Sequence, residues 1–242
     1  FSHANIQAGD VRLLSIHGGT APNVVPAHAC AKLACPRELA QRLANLSAPQ
    51  VRFTATDYGL LVEAEGESAH GSTPELGKNA IGRLLLALDT LPLSVEVANA
   101  VHFLAATLGM ETDGTSAGIA LHDAVSGGLT LNLGVINGDE HRLSLKINYR
   151  YPVTKGYADC APILNGKFAS AGFTLDSEVH KAKLYVPEDS PLVSTLLRVY
   201  REQTGLEDQP ESIGGGTYAK ALPNIVAFGP IFPGEGVREH KP

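Results

Sequence analysis

His70 stands in the run Ala69-His70-Gly71-Ser72-Thr73-Pro74, followed by Gly77-Lys78-Asn79-Ala80 and a long apolar stretch. A histidine on a tight turn between a strand and a helix is held at an exposed corner. From there it can donate a hydrogen bond to the oxyanion of a reacting carbonyl. The plainer reading is a helix cap or a solvent-facing ring. Gly214-Gly215-Gly216-Thr217 precedes a short helix, and three glycines there expose backbone N–H groups able to bind a carboxylate or phosphate. A flexible loop is the alternative, and the spacing fits neither a P-loop nor a dinucleotide-binding GxGxxG. Arg150 ends Asn148-Tyr149-Arg150, where a guanidinium could grip a carboxylate at two points, although strand ends often carry a surface arginine. His240 follows a turn-rich exit from a strand and could ligate a metal, or simply face solvent.

The other histidines show no HxH, HxxxH or HExxH spacing, and no acidic pair stands beside one of them as ligand or base. The chain therefore carries no self-sufficient metal site in its pattern. It has no GxSxG elbow, and its three cysteines (Cys30, Cys35, Cys160) make neither a CxxC pair nor an even disulfide framework. They read as packing residues in a reducing, cytoplasmic compartment.

The elements that must position these groups follow from periodicity and turn chemistry. Residues 11–16 alternate as a strand, residues 29–33 suggest a second extended piece, and Pro36 opens a helix over residues 36–44. Residues 51–56 and 60–64 form a hairpin about Tyr58-Gly59, and residues 79–91 are strongly helical. A second cycle predicts a helix over 95–108, strands over 129–135 and 141–149 about an Asn137-Gly138 turn, a helix over 161–171 and a strand over 173–179. These cycles predict two tandem α+β units, about residues 1–94 and 95–184. From Tyr185 a small α/β piece begins, with a helix from Pro191 to Gln203 and an apolar strand over 225–228. It has too few strands to build a core without a partner sheet.

Length and charge exclude several classes. The 242 residues are enough for one large domain or two smaller ones, and 44% are apolar. A net charge of -6, with scattered Lys and Arg, argues against nucleic acid or an anionic membrane as partner. No apolar run reaches the roughly 20 residues of a membrane span. The chain starts at Phe1 in polar sequence and stops at Pro242 after a Gly-rich loop, so it reads as a piece of a longer protein.

Six blocks, taken in order, resemble the PepV-type dipeptidases. They are HGGTAPNVVP (17–26), AHGSTPELGKNAI (69–81), INYRYP (147–152), YVPEDSPLV (185–193), GGGTYAKALPNIVAFGPIFPGE (214–235) and EHKP (239–242). These enzymes belong to the aminoacylase and carboxypeptidase family of dinuclear zinc metallopeptidases, which includes the carnosinases. The resemblance implies an α+β / α/β architecture: a doubled ferredoxin-like lid over residues 1–184, then the C-terminal piece of the α/β catalytic domain over 185–242. It also implies a monomer, because the doubled lid mimics a dimer.

By the same resemblance His70 matches the lid histidine that reaches into the active site and stabilises the oxyanion. Asn23 and Arg150 match lid residues that hold the substrate's C-terminal carboxylate. Gly214, Gly215, Gly216 and Thr217 match a loop lining the substrate site, and His240 matches the final zinc ligand. The family's remaining zinc ligands, its bridging Asp and its general-base Glu have no counterpart in these residues. The expected activity is zinc-dependent hydrolysis of short unblocked peptides, β-alanyl dipeptides among them. The alternatives are an N-acyl-amino-acid deacylase of the same family, or a non-catalytic binding or oligomerisation module if the natural chain is this short.

Overall fold

The computed structural model describes residues 2–4, 11–211, 218–222 and 224–228, and the chain divides into two units, residues 1–179 and 180–242. In the first unit the strands are β1 (Ser2–Ala4), β2 (Arg12–Gly18), β3 (His28–Ala34), β4 (Val51–Thr56) and β5 (Gly59–Glu65). The short pair β6 (His122–Asp123) and β7 (Gly127–Gly128) follows, and then the long β8 (Thr130–Asp139) and β9 (Arg142–Arg150). Its helices are α1 (Arg37–Leu43), α2 (Ala80–Leu88), α3 (Val95–Thr107) and α4 (Ala161–Ser170).

Seven strands form one sheet in the order β1-β9-β8-β2-β3-β5-β4, and every neighbouring pair is antiparallel. The unit is α+β, and both predicted cycles contribute to this single sheet through the β2–β8 pairing. The alternation in β3 puts Ala29, Ala31 and Leu33 into the core, as a half-buried strand requires. Helix α2 buries Ile81, Leu84, Leu85 and Leu88, and α3 buries Val97, Val101 and Leu104. Phe103, Phe168 and Phe173 close the far side as an aromatic cluster with ring centroids 5.1–5.8 Å apart. Cys160 is fully buried in this core, Cys30 and Cys35 are half-buried, and all three are free thiols.

Three expectations need correction. The β8–β9 hairpin does not turn at Asn137-Gly138. Those residues lie inside β8, paired with Ser144 and Leu143, and the turn falls at Glu140-His141. Here β8 is held on both edges, because β2 pairs with residues 136–139, so a longer strand gains ladder bonds. The Asp139 carboxylate then closes the turn by accepting from the backbone N–H of His141 (2.8 Å) and Arg142 (3.0 Å).

Residues 173–179 do not form the predicted strand. Thr174 makes a single β-bridge and the residues after it leave the ladder, where side chains hold them. Arg142 pairs with Asp176 at 2.7 Å, and the Tyr157 hydroxyl donates to Glu178.

In the second unit α5 (Pro191–Thr204) has the expected ends. Ser190 Oγ accepts from the Val193 N–H at 3.3 Å, and Gly205 closes the helix in the left-handed conformation at φ 72°. Residues 225–228 are not a strand; a strand needs a neighbour, and the described residues of this unit contain none. No helix among the described residues is long and apolar enough to cross a membrane.

Candidate active site

Two loops carry Asn23 and His70, and they pair with each other. The Gly71 N–H donates to the Asn23 carbonyl at 2.7 Å, the Val25 N–H donates to the Ala69 carbonyl at 2.9 Å, and Val24 bridges His70 antiparallel. Glycine at position 71 eases this approach, since a Cβ there would stand 3.0 Å from the Asn23 backbone. Both side chains are exposed.

The His70 ring is oriented by its own turn. Its Nδ1 accepts from the Ser72 backbone N–H at 3.3 Å and stands 2.7 Å from Ser72 Oγ. A backbone N–H can only donate, so Nδ1 is an acceptor. The proton of the neutral imidazole is then on Nε2, the donor left for an outside partner.

The floor under these loops is β8. Asn132, only 2% exposed, donates through Nδ2 to the carbonyls of Pro22 and Val24, each at 2.9 Å. These carbonyls flank Asn23. Asn79 links the same spot to the second loop. Its Oδ1 caps α2 by accepting from the N–H groups of Ile81 (2.9 Å) and Gly82 (3.2 Å). Its Nδ2 donates to Asn132 Oδ1 (3.2 Å) and to the Leu133 carbonyl (2.9 Å). Gly134 lets the first loop lie this close, because a Cβ at 134 would come within 2.4 Å of Pro22 Cα and O.

Arg150 lies on the same face of the sheet. The register opposes Thr130 to Arg150 and Asn132 to Asn148. Directly opposed residues share a face, as do residues two apart, so Asn132, Asn148 and Arg150 project together. Diagonal neighbours of this kind are about 7–8 Å apart, within reach of a long side chain. Arg150 Nε stands 3.4 Å from Asn148 Oδ1. The guanidinium is half-buried, and burial pulls its pKa down from the ordinary arginine value. An arginine still remains charged, and a partly desolvated guanidinium binds a carboxylate more strongly than one in bulk water.

The loop that follows Arg150 is pinned by Asp123, which the sequence reading missed. Asp123 Oδ1 accepts from the N–H groups of Val125 and Ser126 and from Ser126 Oγ, and Oδ2 accepts from Thr154 N–H and Oγ1, both at 2.9 Å. The Val153 N–H donates to Ser126 Oγ at 2.8 Å. Desolvation alone would raise the Asp123 pKa; the hydrogen bonds from Ser126 and Thr154 outweigh it and hold the carboxyl well below the usual carboxylate range.

A depressed native pKa stabilises the fold above the unfolded value of about 3.9 and ceases to do so as pH falls through the native value. Asp123→Asn is therefore expected to lower the Tm at neutral pH. The gap to the parent protein should narrow as the pH drops below about 4. Tm measured across pH 2–8 checks this, and a gap independent of pH would contradict it.

Among the described residues no group of three or more His, Cys, Asp or Glu could hold a metal ion. His240, the zinc ligand that the resemblance implies, lies outside the described residues, as do Gly214, Gly215, Gly216 and Thr217. Among the described residues the structure pairs the loops of Asn23 and His70 and sets Arg150 on the sheet face that carries Asn132.

No protein-family model matches the chain. It is 34% identical over 230 residues to a Staphylococcus saprophyticus protein named "Putative dipeptidase", and equally so to one of that name from Staphylococcus epidermidis. A Staphylococcus haemolyticus protein of that name is 31% identical. Each alignment covers 92% of this chain and 49% of the relative, so the chain spans about half the length of the curated relatives it matches.

Proposed function

We propose that the protein containing this chain is a zinc-dependent dipeptidase that hydrolyses short unblocked peptides, with β-alanyl dipeptides among its substrates. Residues 1–184 serve as its doubled substrate-clamping lid, and residues 185–242 belong to its catalytic domain. The observation that carries this reading is the pairing of the Asn23 and His70 loops above the sheet face that bears Arg150. A dipeptide offers a carboxylate one residue beyond its scissile carbonyl. In this reading a cationic fork and an amide donor meet the carboxylate while the imidazole N–H meets the scissile carbonyl. The dipeptidase names of the relatives support the same reading.

In this scheme Arg150 takes the C-terminal carboxylate as a two-point acceptor and Asn23 adds an amide N–H. His70 donates Nε2–H to the carbonyl oxygen as it gains charge, an interaction stronger in the transition state than in the ground state. Zinc dependence follows from the sequence resemblance, since no group of three or more His, Cys, Asp or Glu among the described residues could hold the ion. We further propose a cytoplasmic monomer, the doubled lid standing in for a second subunit.

The whole protein, supplied with zinc, is expected to hydrolyse free dipeptides and to leave N-acylated ones intact. Product release followed by chromatography measures both. Preferential release of the acyl group from N-acyl amino acids would replace this reading with a deacylase, and turnover of neither substrate would replace it with a binding module.

A further inference from the structure

We propose that Asn132 is a positioning residue that fixes Asn23 for the substrate carboxylate and registers the Asn23 loop against the His70 loop. The inference rests on the assignment of Asn23 as a carboxylate ligand. A strand position between the buried Leu131 and Leu133 would ordinarily be apolar, since an amide there must be desolvated. Asn132 compensates fully. Both of its N–H donors and its carbonyl oxygen are engaged, the donors by Pro22 and Val24 and the oxygen by Asn79.

The geometry of these bonds is what gives the residue a role beyond burial. The two carbonyls it holds are those immediately before and after Asn23, and the carbonyl of Asn23 itself is held by the Gly71 N–H. Three successive peptide planes are therefore fixed, and the Asn23 side chain is the part left exposed. Asn79 extends the same clasp to the first turn of α2, the helix that closes the His70 loop. One buried amide thus sets the positions of two loops that are far apart in the chain.

The test compares kcat/KM of the whole protein for a free dipeptide and for the same dipeptide as its C-terminal amide. Asn132→Leu is expected to reduce the preference for the free acid about 10-fold, mainly through a higher KM, because the amide that meets the carboxylate is no longer aimed. An Asn132 that only stabilises the fold would lower both activities alike and leave the ratio unchanged, which would overturn the proposal. Asn23→Ala measured alongside separates the two levels. If Asn23→Ala lowers the ratio and Asn132→Leu does not, the positioning role alone fails; if neither lowers it, the carboxylate assignment fails and the positioning role with it. Should Asn132→Leu not fold, Asn79→Asp keeps the Oδ1 cap on α2 but removes the donor to Asn132. A smaller fall in the ratio is then expected, and an unchanged one overturns the proposal in the same way.

Discussion

His70→Ala is expected to lower kcat of the whole protein about 10²–10³-fold, the usual cost of removing one oxyanion donor, or about 2.7–4 kcal/mol of transition-state stabilisation. The structure makes this a clean experiment. The His70 side chain is exposed and, among the described residues, its ring hydrogen-bonds with Ser72 alone, while the pairing with the Asn23 loop runs through backbone atoms. Truncation therefore removes the donor without disturbing the loops, and stability should stay within about 0.5 kcal/mol of the parent. KM should move little, because the interaction matures only as charge develops on the carbonyl oxygen. Steady-state kinetics with a free dipeptide, beside a thermal melt, measures both quantities. Turnover close to that of the parent would remove His70 from the chemistry.

Local elements were legible because local chemistry dictates them. Asn79 before an apolar run, Pro36 at a first turn, Pro191 after Ser190 and Gly205 after a helix each mark ends that the structure retains. Tertiary competition is what displaced the rest. Asn137-Gly138 has the stronger intrinsic turn preference, yet pairing with both β2 and β9 pulls it into the ladder. Residues 173–179 have a strand's pattern, but only Thr174 bridges, and side-chain ties such as Arg142 to Asp176 and Tyr157 to Glu178 hold the segment instead.

The candidate site follows the same division. His70, Asn23 and Arg150 are visible as residues in motifs; their grouping is not, because it depends on which strands become neighbours. The supporting polar residues were missed for the same reason. Asn132 reaches a carbonyl 110 residues away, and its only trace in the sequence is one amide inside an otherwise apolar run. Asp123, followed three residues later by Ser126, resembles any local turn until Thr154 joins it.

Arg150→Met is expected to cost about 10²-fold or more in kcat/KM for free dipeptides, with most of the loss in KM. Truncating one partner of a partly buried, hydrogen-bonded charge pair typically costs about 2–5 kcal/mol, because the other charge is left desolvated and unpaired. The unpaired charge would here be the substrate's own carboxylate, so the defect should depend on the substrate. Against a dipeptide C-terminal amide, which brings no charge to be stranded, the parent and Arg150→Met should differ little. Arg150→Lys separates charge from geometry: an ammonium restores attraction but lacks the planar fork, so it should recover only part of the loss. The substitution also removes a half-buried side chain that lies beside Asn148, so some fall in stability is expected on either account. Only the difference between the two substrates reports on recognition. If Met and Lys variants lose activity equally on acid and amide, Arg150 supports the end of β9 and the carboxylate must be held elsewhere.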